Sequence, residues 1–112
     1  MRRLLLTLLF LAAALAPAYS GRADTLAQIR DTGGFKLGFR MDAKPMSFLD
    51  ENGDAAGYAV DICRRVATAV KVQLGLKSMK VEYVPVSAEN RIRMLRDGAV
   101  DIECATSTRT LE

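Results

Sequence analysis

The sequence predicts an α/β chain built on a mostly parallel sheet flanked by helices. Three observations carry that expectation. Short runs of alternating apolar residues recur at 35–39, 80–84 and 99–104. Between them, apolar residues return every third or fourth position, which is the helical period. Gly or Pro stands at most of the boundaries. Strands separated by helices need right-handed crossover connections, and those produce parallel neighbours.

Each element has a local reason. Asp24 is a good N-cap for a short helix over 25–31, with Leu26 and Ile29 on one face, and Gly33-Gly34 stops it. Phe35, Leu37 and Phe39 alternate with Lys36 and Gly38, which predicts the first strand. A loop is expected over 41–45. Residues 46–50 and 55–56 flank Asn52-Gly53, a strong hairpin turn signal. From Gly57 to Val72 the period becomes helical. Ile62, Cys63, Val66 and Val70 are expected to point inward, and Arg64, Arg65 and Lys71 outward. Lys80 to Val84 predicts a second strand closed by Pro85. Ser87 is placed to cap a helix through Asp97, with Ile92 and Leu95 inward and Gly98 at its end. Ala99 to Cys104 predicts a third strand, with Val100, Ile102 and Cys104 on one face and Asp101 and Glu103 on the other.

Residues 1–23 read differently. Met1-Arg2-Arg3 is a short positive start, and Leu4 to Ala16 is an uncharged run of 13 residues. Small residues around Pro17 follow, with Ala18-Tyr19-Ser20 fitting a small-x-small cleavage site. This is the layout of a secretory signal peptide, with cleavage expected between Ala18 and Asp24 and the mature chain in the periplasm. The apolar run falls short of the about 20 residues that span a bilayer.

The charge balance follows from that division. The whole chain has 16 Lys+Arg against 13 Asp+Glu, but Arg2, Arg3 and Arg22 lie in the leader. The remainder is neutral, which removes the electrostatic support for a nucleic-acid partner. The absence of His excludes histidine-based catalysis and most zinc sites, so neither metal nor cofactor is expected. Export changes how the two cysteines read. Cys63 and Cys104 are either a disulfide, closing a loop of about 40 residues worth about 4 kcal/mol, or two buried free thiols.

In parallel sheets, ligands bind beyond the carboxyl ends of the strands. The segments there are 40–47, 86–91 and 105–109. Arg40 and Arg91 stand in two of them, and the third carries Thr106, Ser107 and Thr108. A guanidinium offers a planar fork of donors that matches a carboxylate. The pair suits a small anionic molecule, although exposed surface arginines are the commoner occurrence. Asp101 and Glu103 share a face but read as a solvated or helix-facing surface rather than an acid–base pair. Ser107 has no His or Lys partner that would make it a nucleophile. No catalytic residue is therefore assigned.

Gly38-Phe39-Arg40, Pro45-Met46-Ser47-Phe48, and Asn52-Gly53 leading to Gly57-Tyr58-Ala59-Val60-Asp61 resemble periplasmic amino-acid-binding proteins of ABC importers, solute-binding family 3. Val84-Pro85-Val86-Ser87-Ala88-Glu89-Asn90-Arg91-Ile92 and Asp101-Ile102-Glu103-Cys104-Ala105-Thr106-Ser107-Thr108 resemble the glutamate/aspartate-binding branch. The resemblance covers the chain from Asp24 to Glu112. It implies two α/β lobes closing on one acidic amino acid, delivery to an inner-membrane ABC permease, and a monomer. Arg40 and Arg91 match the pair that grips the ligand's side-chain carboxylate. Thr106 and Thr108 match positions that bond its α-carboxylate. Ala88 falls where the branch usually has a hydroxyl. Ala105 replaces a usual Gly, Thr106 a usual Ser, and Met46 a usual Phe.

Family members run to well over twice this length. The resemblance therefore implies that residues 24–112 are an incomplete N-terminal lobe, and that this stretch alone does not bind glutamate measurably. The same fold also serves periplasmic lyases, murein-cleaving enzymes and sensor ectodomains. Such an enzyme or sensor, or a remnant without function, is the alternative to a receptor.

Overall fold

The computed structural model describes residues 24–107. The expected signal peptide, at 1–23, and Thr108 lie outside the described residues. The elements in order are α1 (Thr25–Thr32), β1 (Gly34–Arg40), β2 (Asp42–Ala43), β3 (Ser47–Leu49), β4 (Ala55–Ala56), α2 (Tyr58–Gln73), β5 (Lys80–Val86), α3 (Arg91–Arg96) and β6 (Ile102–Cys104). Two sheets result. One is parallel, in the order β5-β1-β6, and the other is a small antiparallel sheet, β2-β3-β4. The predicted α/β class and the parallel sheet both hold.

Strand β1 is central to the parallel sheet because it pairs there on both edges. Its full length runs beside β5, from Gly34 opposite Lys80 to Arg40 opposite Val86. Its second half runs beside β6, with Gly38 opposite Glu103 and Phe39 opposite Cys104. Phe35, Leu37 and Phe39 are buried on one face, with Ile29 of α1 and Val60, Cys63 and Ala67 of α2. The other face is closed at Gly38, where an added Cβ would meet Val100 and Val86 at 3.1 and 3.2 Å. Glycine there lets the two valines pack directly on the strand.

Several elements depart from expectation. The strand at β5 does not stop at Pro85 but runs through it to Val86. Proline is tolerated because β5 pairs only with β1 among the described residues, so its other edge needs no donor. The expected loop at 41–45 contains a two-residue strand, β2, paired to β3. The β3–β4 turn falls at Asn52-Gly53 as the sequence indicates, and Asp50 closes it by accepting from the amides of Asn52 and Asp54, both at 2.9 Å. The third strand begins at Ile102 rather than Ala99. The Asp101 side chain takes the place of a ladder rung, accepting from the Lys36 amide at 2.8 Å, while the Asp101 amide donates to the Lys36 carbonyl at 2.8 Å.

The helices differ in which faces they bury. In α2 the buried stripe is Val60, Cys63 and Ala67. Ile62 and Val66, expected inward, are 46% and 37% exposed. Ala67 instead joins the core, at 2% exposure. Arg64, expected outward, folds over the strand ends: its guanidinium donates to the Ala55 carbonyl, the Asp61 carboxylate and the Tyr83 hydroxyl. Before α3, Ser87 closes a turn rather than capping the helix itself, whose N-cap position falls at Asn90. The Ser87 hydroxyl accepts from the Asn90 amide at 3.1 Å, and Asn90 Oδ1 accepts from the Ser87 amide at 2.8 Å, a reciprocal box. A turn occupies 88–90, so regular helix starts only at Arg91. Ile92 and Leu95, expected inward, are 49% and 40% exposed. Among the described residues no element covers them.

Cys63 and Cys104 form a disulfide with their Cα atoms 6.2 Å apart. It joins α2 to β6 across 41 positions, which resolves the two readings of these cysteines in favour of the bridge. Replacing both cysteines with Ala is expected to cost about 2–5 kcal/mol of stability. Urea unfolding under oxidising conditions, followed by far-UV circular dichroism, measures that loss.

Candidate functional site

The carboxyl ends of β1, β5 and β6 lie side by side, because the three strands run parallel and in register. Arg40 is the last residue of β1. Its backbone is held by Ser47, whose hydroxyl accepts from the Arg40 amide at 2.8 Å and donates to the Arg40 carbonyl at 3.2 Å. Ser47 is 0% exposed and is the one buried polar residue among those described. Gly57 keeps that contact close. It adopts φ +122°, and a Cβ there would run into the Met46 carbonyl and the Ser47 amide. The small antiparallel sheet thus serves as a bracket for the end of β1.

The Arg40 side chain is 16% exposed, and its Nε donates to Asp42 Oδ1 at 2.9 Å. That hydrogen bond raises the Arg40 pKa above its ordinary value and holds the Asp42 carboxyl below the usual carboxylate range. Arg40 also feels the negative charges of Glu89 and Glu103. Glu89 is itself held low, first by its own backbone amide and then by the Ser87 hydroxyl. A cavity of about 260 Å³ opens here, lined by Arg40, Asp42, Ser87, Ala88 and Glu89 among others. A larger hollow of about 580 Å³ lies at the far end of the sheet, around Thr25, Gln28 and Arg96, away from both arginines of the candidate site.

Arg91 opens α3 beyond the end of β5. Its side chain is 20% exposed and already committed on two of its nitrogens. Nη1 donates to the Ala88 carbonyl at 2.7 Å, and Nε donates to the Ser107 hydroxyl at 2.8 Å. Ser107 in turn donates to Glu103 Oε2 at 2.9 Å. The second carboxylate oxygen, Glu103 Oε1, is buried 3.7 Å from Arg91 Nε without a hydrogen-bond partner among the described residues. The Glu103 side chain is only 9% exposed. It is therefore the helix-facing member of the two carboxylates on its strand, and an internal counter-charge for Arg91.

Of the residues singled out from sequence, Arg40, Ala88 and Arg91 gather at one edge of the sheet. Thr106 follows β6 and is exposed there, and Thr108 lies outside the described residues. Asp42, Glu89 and Glu103 were not anticipated as site residues. Asp42 carried no signal in the pattern, since its partner is fixed by the β2–β3 pairing. Among the described residues, no group of three His, Cys, Asp or Glu side chains is placed to hold a metal ion. Chemically, the edge offers two guanidinium groups above a sheet end, which suits recognition of a carboxylate or an amide.

The model of the bacterial extracellular solute-binding proteins, family 3, matches residues 35–112. The chain belongs to this family. It is 40% identical over 89 residues to an L-glutamate/L-aspartate-binding protein of Pseudomonas aeruginosa, covering 79% of this chain and 30% of that protein. It is 38% identical over 100 residues to a glutamate/glutamine/aspartate/asparagine-binding protein of Rhodobacter capsulatus, covering 89% of this chain and 28% of that one. A solved ancestral amino acid-binding protein, a precursor of cyclohexadienyl dehydratase, superposes with a TM-score of 0.66 at 32% identity, covering 78% of this chain and 35% of that one. The chain thus spans about a third of the length of the relatives it matches. Those curated relatives are binding proteins, while the solved neighbour shows that the fold also leads to an enzyme.

Two outcomes test this geometry. Ser47→Ala leaves the Arg40 amide without its buried acceptor and is expected to cost about 1–3 kcal/mol, read by urea unfolding. Asp42 has a lower pKa folded than unfolded, so its contribution to stability is complete above the unfolded value of about 3.9. It is lost as pH falls through the folded value. Asp42→Asn is therefore expected to lower stability slightly in the neutral range, where that contribution is complete, and to flatten the dependence of stability on pH below about 4. Unfolding midpoints measured across that range check the sign.

Proposed function

We propose that this chain is the leading part of an exported receptor that binds an acidic amino acid and presents it to an inner-membrane ABC permease. Residues 1–23 act as its signal peptide, residues 24–112 belong to its first lobe, and it works as a monomer in the periplasm. What supports this reading is that Arg40 ends β1 and Arg91 opens the helix that follows the neighbouring β5, at the carboxyl edge of one parallel sheet. Each is fixed through its neighbours rather than left to swing in solvent: Ser47 holds the Arg40 backbone, and Ser107 and the Ala88 carbonyl hold the Arg91 head. A preorganised guanidinium loses little freedom when it closes on a carboxylate.

Among the described residues Arg91 Nη2 has no hydrogen-bond acceptor, and we assign that nitrogen to the ligand's side chain. Arg40 approaches the same side chain from the neighbouring strand end. Thr106 and Thr108 follow β6 and are assigned to the ligand's α-carboxylate. Ala88 lines the cavity without contributing a hydroxyl, which leaves the two arginines to carry the recognition of the side chain. The similarity to a glutamate/aspartate-binding protein supports an acidic ligand over a basic one.

Arg91→Ala in the receptor that carries this chain is expected to weaken binding of L-glutamate by about 2–5 kcal/mol. That loss comes from leaving the ligand's carboxylate without its guanidinium, whereas stranding the buried Glu103 acts on the free and bound receptor alike and is read as lost fold stability. Arg40→Ala is expected to weaken it in the same direction. Titration calorimetry decides the matter, and an unchanged affinity in both variants removes this site from consideration.

A further inference from the structure

The two arginines at the sheet edge carry their own carboxylates, and the two pairings differ in kind. Glu103 is 9% exposed and locked to Arg91 through Ser107. No entering ligand reaches it without breaking the fold at that point. Asp42 is the reverse: its side chain is 73% exposed while its partner Arg40 is 16% exposed. The carboxylate of that pair is the wet half, already solvated, and can swing away at little cost. Asp42 also lines the cavity that Arg40 and Ala88 line.

We infer that Asp42 is a specificity-determining residue that competes with the ligand's side-chain carboxylate for Arg40 and so lets this pocket take amide side chains alongside acidic ones. The inference rests on the reading of the chain as an amino-acid receptor. A carboxylate entering beside Arg40 meets Asp42, and behind it Glu89 and Glu103, whose charges also reach Arg40. It must displace Asp42 to gain the guanidinium, and like charges placed together are costly. An amide has no such conflict. Its carbonyl accepts from the Arg40 fork while its NH₂ donates to Asp42, so both partners keep a matched bond. Ala88 offers no hydroxyl that would favour either ligand.

The test is titration calorimetry of the receptor with L-glutamate, L-glutamine, L-aspartate and L-asparagine, for the wild type, Asp42→Asn and Asp42→Ala. The expected result is that the wild type binds both acids and amides. Each variant then raises the glutamate-to-glutamine affinity ratio by about tenfold or more, the change that removing one like charge produces. Two variants are needed because Asn keeps a hydrogen-bonding group and Ala keeps none. A wild type that takes acids and rejects amides, or a ratio unchanged in both variants, overturns the role of Asp42 while leaving the receptor reading intact. A wild type that binds none of the four overturns the receptor reading itself and this inference with it.

Discussion

The two hydrogen-bonded ladders on β1 are the constraint on which the rest of the structure depends. β5 holds one edge of this strand and β6 the other, and both run parallel to it. A parallel strand paired on both sides needs cover on both faces. Phe35, Leu37 and Phe39 take that cover from α1 and α2, and the disulfide joins α2 to the neighbouring β6. On the opposite face Gly38 admits Val86 and Val100. The ladder therefore decides at once where the core lies and where the strand ends are presented.

Those strand ends gather charge without gathering free charge. Arg40 and Arg91 each arrive with a carboxylate partner, and the partners are placed by different physics. Glu103 is buried because its strand is a sheet edge roofed by the turn and helix that follow β5. Burial of an ion is tolerable only with a counter-charge and hydrogen bonds nearby, and Arg91 and Ser107 supply them. Asp42 is exposed because β2 is a two-residue strand at the rim. The resulting edge is nearly neutral, with each guanidinium answered by a carboxylate.

Much of the local structure was legible in the sequence. The alternation at 35–39, the Asn52-Gly53 turn and the Asp24 cap are short-range signals, and each falls where its chemistry places it. The misplaced helical faces share one cause. Ile62, Val66, Ile92 and Leu95 have the right period for a buried stripe but lie on faces that nothing among the described residues covers. Periodicity marks a helix and an apolar face. It does not say which of two overlapping stripes docks, because that depends on how closely the helix approaches the strand. In α2 the stripe that docks is Val60, Cys63 and Ala67.

The sequence by itself determined the fold class, the order of the elements and the family, because these rest on local periodicity, turn chemistry and short motifs. It also pointed to Arg40 and Arg91, since an arginine at a strand end in a parallel sheet lies at the edge where ligands bind. Only the tertiary structure decided what those arginines hold. The Glu103–Ser107–Arg91 chain spans two elements brought together by the β1 ladder, and Ser47 reaches Arg40 only because β3 folds back beside it. The Cys63–Cys104 bond belongs to the same class, as it needs α2 laid across β6. Contacts between residues far apart in the chain are set by docking geometry, and no local pattern records that.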